Sequence, residues 1–399
     1  MGVETIDPDL IFTELLTGEG SGLILIGLAV AFLVAIFLAI TAGWFRIILS
    51  IASFAYPSAR VRAMGNPLVT KAGSLEISGA GDLLELFERA ERLGHQIGYR
   101  EGISLDDTER LIRVYHYAML TNLGGTVPDA IRPLINGYIQ VYQIREVAVI
   151  LRGLEGGLPK ELIESRAVPI ASLTDSAIRK AAHSATVEEA VTRLHRSGVV
   201  PRIRELWTKI GETSGFSTFE SALISDAYRS LMMAARGIEE SQYEPAVLMA
   251  GRMIDCENLR ILIRGRLRGM DASDLMPFLI QTGGFEITEP MLRDLVRTAD
   301  LTELFSAIRE TAYGPYIEPH LEEVRKTRDP GRIELSLSRC ILDIGRMISS
   351  QYHLGSGPII RYLVALQIEC ENLGTATAGL MLGVSPERIG DMMVMEAEA

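Results

Sequence analysis

Residues 253–269 read MIDCENLRILIRGRLRG, and residues 367–383 read QIECENLGTATAGLMLG. The hexapeptides Ile-Asp-Cys-Glu-Asn-Leu and Ile-Glu-Cys-Glu-Asn-Leu each set a cysteine between two carboxylates, a grouping that suits a metal, a reactive thiol or an acid/base pair. It equally suits a duplicated helix. Ile254 and Ile368 lie 114 positions apart, and a weaker copy, Ile139-Gln-Val-Tyr-Gln-Ile-Arg145, lies 115 before Ile254. In that copy Val141 replaces the cysteine, and Gln140 and Tyr142 replace the carboxylates. Chemistry common to all three copies would not tolerate those changes, whereas a packing helix would.

The register places Met249, Met253, Cys256, Leu259 and Ile263 on one helical stripe, and Leu363, Leu366, Cys370 and Leu373 on its counterpart. The cysteines are therefore expected in the core, as free cysteines usually are. The flanking carboxylates read as a solvated or interfacial face, with Asn258, Asn372 and Gln143 as local hydrogen-bonding positions.

The repeat extends outward. TFESALISDAYRSLMMAA (218–235) and RIELSLSRCILDIGRMI (332–348) form a helix ahead of each copy, and DDTERLIRVYHYAML (106–120) is the first such helix. Between these helix pairs, LTDSAIRKAAHSATVEEAV (173–191) aligns without gaps on ITEPMLRDLVRTADLTELF (287–305), again at 114. Thr174 and Thr288 stand where helix N-caps belong. A third copy of this tail shows in GDLLELF (81–87) against ADLTELF (299–305). The order is tail then head, three times, with repeats at 56–157, 158–270 and 271–395. The class is all-α, and a unit this small leaves apolar faces for its neighbours to cover. Periodicity alone leaves an open arc and a closed ring equally available.

At 399 residues, with 48% hydrophobic and 23% charged residues, the chain can bury a sizeable core. Three cysteines are too few for a disulfide framework and point to a reducing compartment. A net charge of −12 excludes a nucleic-acid binder built on counterion release. No HExxH, Cys-x-x-Cys, P-loop or Gly-x-Ser-x-Gly motif occurs, so no metal, nucleotide cofactor or catalytic site is expected. SGAGDLLE (78–85) lacks the third glycine of a dinucleotide fingerprint.

Residues 1–21 hold five acids and no base. From 22 to 45 there is no charge at all, and as a helix that run would span roughly 36 Å, enough to cross a bilayer core. It starts acidic and runs too long for a signal peptide. The reading is an uncleaved single-pass transmembrane anchor. Arg46, Arg60, Arg62 and Lys71 follow the run, which puts the bulk of the protein on the cytoplasmic side of the cell membrane, and Trp44 and Tyr56 flank the boundary. Within an acidic chain, Arg260, Arg264, Arg266 and Arg268 form a basic strip and are the candidate partner interface.

AYPSARVRAMGNPLV (55–69), NLRILIRGRLRG (258–269) and GPIIRYLVALQIECENLGTATAGLMLGVSPERI (357–389) resemble the C subunit of archaeal and vacuolar-type rotary ATPases, the counterpart of the eukaryotic vacuolar d subunit. The resemblance covers about 55–395. It implies a pseudo-threefold funnel of three similar helical domains, closed and not an arc, that is not itself catalytic. It also implies partners: the central rotor shaft, received in the funnel, and the ion-carrying membrane ring beneath, with torque passed between them in ATP synthesis. The apolar N-terminal run departs from the family, and a tethered rotor part would be wound round the stator, so residues 22–45 are expected to enter the ring's central pore. The alternative is a membrane-tethered adaptor derived from this family that no longer rotates.

Overall fold

The computed structural model describes residues 21–396. Among them the chain is helical throughout, with one isolated bridge between Ile170 and Leu173 and no strand. The chain divides into two compact units at Ala55 and Tyr56. The acidic segment 1–20 lies outside the described residues.

Helix α1 (Ser21–Met64) carries the apolar run. The expected transmembrane anchor is not supported: among the described residues no helix is long and apolar enough to cross a membrane. The placement of this helix in the ring's pore falls with the anchor. The side chain of Trp44, expected at the membrane boundary, lies outside the described ones.

In the second unit, three long helix pairs dominate: α2 (Leu105–Gly124) with α3 (Arg132–Glu155), α4 (Phe216–Arg236) with α5 (Glu240–Leu267), and α6 (Gly331–Gln351) with α7 (Gly357–Met381). Their starts follow from local chemistry. Ser104 accepts from Asp107 N at 3.1 Å ahead of α2, and proline at the first turn opens α3 and α7, where its missing N–H costs nothing. The second helix of each pair packs on the first helix of the next: α3 on α4, α5 on α6, and α7 back on α2. The sequence of contacts therefore closes on itself. Gly137 lets α3 come near α4, since a Cβ there would lie 3.2 Å from Leu231 Cα.

The tail modules repeat in detail. Their first helices are Lys71–Ser78, Asp175–Ala182 and Glu289–Arg297, preceded by Thr70, Thr174 and Thr288. Thr70 and Thr174 accept from Gly73 N and Ala177 N, as N-caps should, whereas Thr288 holds the N-cap position without a side-chain bond. The second helices, Leu83–Arg92, Val187–Arg196 and Leu301–Ile308, each begin with a reciprocal capping box. Asp82, Thr186 and Asp300 accept from the amides of Glu85, Glu189 and Glu303, whose carboxylates accept from Gly81, Ala185 and Ala299 in return.

The core sits where the apolar stripes meet. Cys256, Leu259 and Ile263 of α5 pack with Ile333, Leu337 and Cys340 of α6 in one buried cluster. Cys370 and Val141 are buried at the matching positions. The carboxylates just before those cysteines are not solvated as expected. Asp255 and Glu369 are fully buried and act as clamps. Asp255 accepts from the amides of Phe285 (3.1 Å), Glu286 (2.8 Å) and Ile287 (3.2 Å) and from Tyr313 OH (2.6 Å). Glu369 accepts from Leu68 N (2.9 Å) and Asn66 Nδ2 (2.8 Å), so α7 holds the loop that follows α1.

Asn258 and Asn372 add a second clamp one turn on. Asn258 exchanges two bonds with Ile280, while Asn372 donates to Leu68 O and Val394 O and accepts from Val394 N. In α3 the duty falls to Gln143, which accepts from Ser172 N and Oγ and donates to Val199 O. Buried polar groups are tolerable only when bonded, and here each bond ties a tail loop to a head helix.

Candidate functional site

Three turns of helix, one per pair, face a common space. Tyr142 of α3, Glu257 of α5 and Glu371 of α7 occupy the same place in the repeated hexapeptide, and all three line a cavity of about 530 Å³. Arg145, His116, Gln367 and Cys370 complete much of the wall. The cavity is thus made by the three helix pairs together and belongs to none of them alone.

Its polar groups are positioned by bonds across the pairs. Tyr138 OH meets Tyr142 OH and Gln367 Oε1, each at 3.0 Å, joining α3 to α7. Gln367 Nε2 donates to Glu371 at 2.9 Å. The Arg145 guanidinium donates to Tyr228 OH of α4 at 3.0 Å and lies 5.5 Å from the centre of the Tyr142 ring, a cation–π distance. Glu257 approaches Arg260 at 3.5 Å. Glu146 is buried and fully engaged, accepting from Arg113 (2.6 Å), Tyr117 OH (2.7 Å) and Val168 N (2.9 Å).

Burial sets the protonation of this wall. It pushes His116 down to about 3, with the nearby Arg145 cation adding to the effect, so the imidazole is neutral. Burial also pushes the phenols of Tyr138 and Tyr142 and the thiol of Cys370 up, leaving them protonated. The wall offers Arg145 and the carboxylates of Glu257 and Glu371 for charge recognition, and neutral hydroxyls for hydrogen bonding. No group of three or more His, Cys, Asp or Glu side chains able to hold a metal ion occurs among the described residues.

The basic strip divides. Arg260 turns inward to Ser338 Oγ at 2.8 Å. Arg264 makes a two-pronged contact with Glu334, one arm at 2.6 Å. Arg266 donates to the carbonyls of Met270 (2.6 Å) and Val296, which ends its helix on the next tail. Arg264 and Arg268 are both exposed, and of the four only Arg268 makes no side-chain hydrogen bond or ion pair with another described residue; it borders a smaller cavity of about 260 Å³. Arg260, Arg264 and Arg266 therefore join elements of this chain, and the central wall was not visible in their charge pattern. The signal for that wall was the shared register of Glu257, Glu371 and Tyr142.

Comparison with known proteins meets this architecture directly. The model of the ATP synthase (C/AC39) subunit family matches residues 57–392, essentially all of the second unit. The chain belongs to that family. Among its relatives, the C subunit of the A-type ATP synthase of Methanocaldococcus jannaschii is 25% identical over 359 residues, covering 88% of each chain. That of Methanothermobacter thermautotrophicus is 24% identical over 82% of this chain and 84% of its own. That of Methanobrevibacter smithii is 23% identical over 96% and 98%. Membership makes the chain a component of a rotary ATP synthase.

Proposed function

We propose that this chain is the non-catalytic central-stalk subunit of an A-type ATP synthase, joining the rotor shaft to the ion-carrying membrane ring and passing torque between them. The observation that carries the reading is the cavity of about 530 Å³ walled by all three helix pairs at equivalent positions. A shaft end that must turn with its seat needs contacts spread around it, and a wall drawn from three packed pairs supplies them. The cyclic order of helix contacts supports this, because a closed set resists being pried open under load. Docking on the ring would hold the protein at the cytoplasmic face of the membrane. Arg268, exposed and without a hydrogen bond or ion pair to another described residue, is the residue of the basic strip left to meet a partner.

Affinity capture of the tagged full chain in mild detergent tests the assignment. Shaft and ring subunits should both copurify. Capture of neither sinks the reading, and loss of the shaft alone on Glu257→Arg and Glu371→Arg would locate its seat in the central wall.

A further inference from the structure

His95, Val199 and Tyr313 occupy one equivalent place, just beyond the second helix of each tail module. His95 and Val199 are seated by the same backbone bond, to Ala90 O at 2.9 Å and Leu194 O at 3.2 Å. Each place faces the clamp position of a head helix. Tyr313 OH donates to Asp255 at 2.6 Å, and His95 Nε2 lies 3.4 Å from Glu369 Oε1. At the remaining junction Val199 has no polar atom to offer, and the clamp residue is Gln140, which makes no hydrogen bond to another described residue.

A second replacement works in the same direction. Phe285 lies so close to α5 that a Cβ on Gly251 would come within 2.7 Å of its backbone and Cβ. The equivalent of Phe285 is Ala171, and the equivalent of Gly251 is Asn136, which has room for its side chain. The aromatic pair that fills the junction between α5 and the third tail is thus absent beside α3. In its place is a slot of about 470 Å³, open to solvent and lined by Thr121, Asn136, Gln140, Gln143, Ala171 and Val199 among others, with no charged residue in its wall.

The change from carboxylate to amide fits a site that fills and empties. A carboxylate at position 140 would have to give up its hydration each time the slot filled. A neutral amide gives up less and still accepts a hydrogen bond. We propose that this slot is a binding site for one para-hydroxyphenyl ring supplied from outside the chain. The ring lies against Val199 and Ala171, where this chain's own Tyr313 and Phe285 lie at the sister junction. Its hydroxyl donates to Gln140 Oε1 as Tyr313 donates to Asp255. The site lies apart from the central cavity and does not depend on the rotor reading.

The test is methyl NMR on the full-length protein with p-cresol as the probe. Saturable shifts confined to the Ile139 and Val199 methyls are expected, with toluene at least about tenfold weaker because it lacks the hydroxyl. Ala171→Phe, which fills the slot from within, should abolish the shifts. If that variant does not fold, Val199→Tyr, read at Ile139, takes its place. No saturable shift, equal binding of toluene, or unchanged binding in a folded filled variant would each overturn the proposal. The source of the ring is read by repeating the titration on the purified complex. Exclusion of p-cresol there, with binding to the isolated chain, assigns the slot to a partner's tyrosine; binding in both assigns it to a free phenolic ligand.

Discussion

Alanine at one repeated position should have three very different costs. Asp255, Glu369 and Gln140 stand at the same place in their helices, yet Asp255 accepts four hydrogen bonds, Glu369 two with His95 nearby, and Gln140 none. Deleting a buried acceptor strands its donors, at about 1–3 kcal/mol each where the group stays dry. Some of that is recovered when water enters or the loop shifts. Asp255→Ala should therefore lose about 4–6 kcal/mol and Glu369→Ala about 3–5 kcal/mol, while Gln140→Ala should stay within about 0.5 kcal/mol. Urea denaturation of the full chain gives the stabilities. Hydrogen exchange locates the damage: the amides of Glu286 and Ile287 should open in the first variant and that of Leu68 in the second. Equal losses at all three positions would refute the clamp argument, since helix propensity and volume would then explain the data. So would a large loss in Glu369→Ala with Leu68 protection unchanged.

Four further outcomes follow from the same geometry. Gly251→Ala should cost about 2 kcal/mol or more by denaturant midpoint, because the added Cβ meets Phe285 backbone that cannot rotate away; Asn136→Ala, its counterpart, should be nearly silent. His116 is neutral when folded and takes up a proton when unfolded below about pH 6.5, so its burial penalises stability as pH falls from there toward about 3. Relative to His116→Phe, the wild type should lose about 2 kcal/mol more between pH 7 and pH 5. All three cysteines are buried, and burial raises the thiols of Cys256 and Cys370. An aromatic disulfide reagent should thus find no fast-reacting thiol in the native protein and three on unfolding. Arg268→Glu should leave stability within about 0.5 kcal/mol while lowering the yield of assembled complex; unchanged yield would reduce Arg268 to a solvated end.

Much of this was legible in the 114-residue spacing. Helices, their order, the inward cysteines and the cap at Thr174 all depend on near neighbours, and near neighbours are what a sequence displays. Asp255 and Glu369 were misread because their partners lie far off in the chain: Leu68 and Glu369 are joined across 301 positions. Gln140 added to the error. A neutral amide there gave no sign of a buried carboxylate clamp in the other two copies, and the first copy keeps only the second clamp, Gln143. The central wall was hidden for a related reason. Glu257 and Glu371 resemble ordinary surface carboxylates until three helix pairs bring them to one space. For the apolar run, composition measured length without fixing context, and the described helix does not meet the requirement for a span.

The junction held by Glu369 and Asn372 also has a place in time. It joins Leu68 and Val69 to Val394 and Glu396, with Glu396 N reaching Val69 O at 2.8 Å. A chain emerging from the ribosome makes Leu68 long before α7 exists. The first tail must therefore wait through the synthesis of almost everything else, its loop amides satisfied by water, until the last long helix has left the exit tunnel. Closure over so long a loop is costly in entropy and late by construction. The earlier junctions can form while translation continues. A late event in making this protein is then the docking of Leu68 and Val69 on α7, and removal of Val394–Glu396 should leave a largely helical body in which that junction never closes.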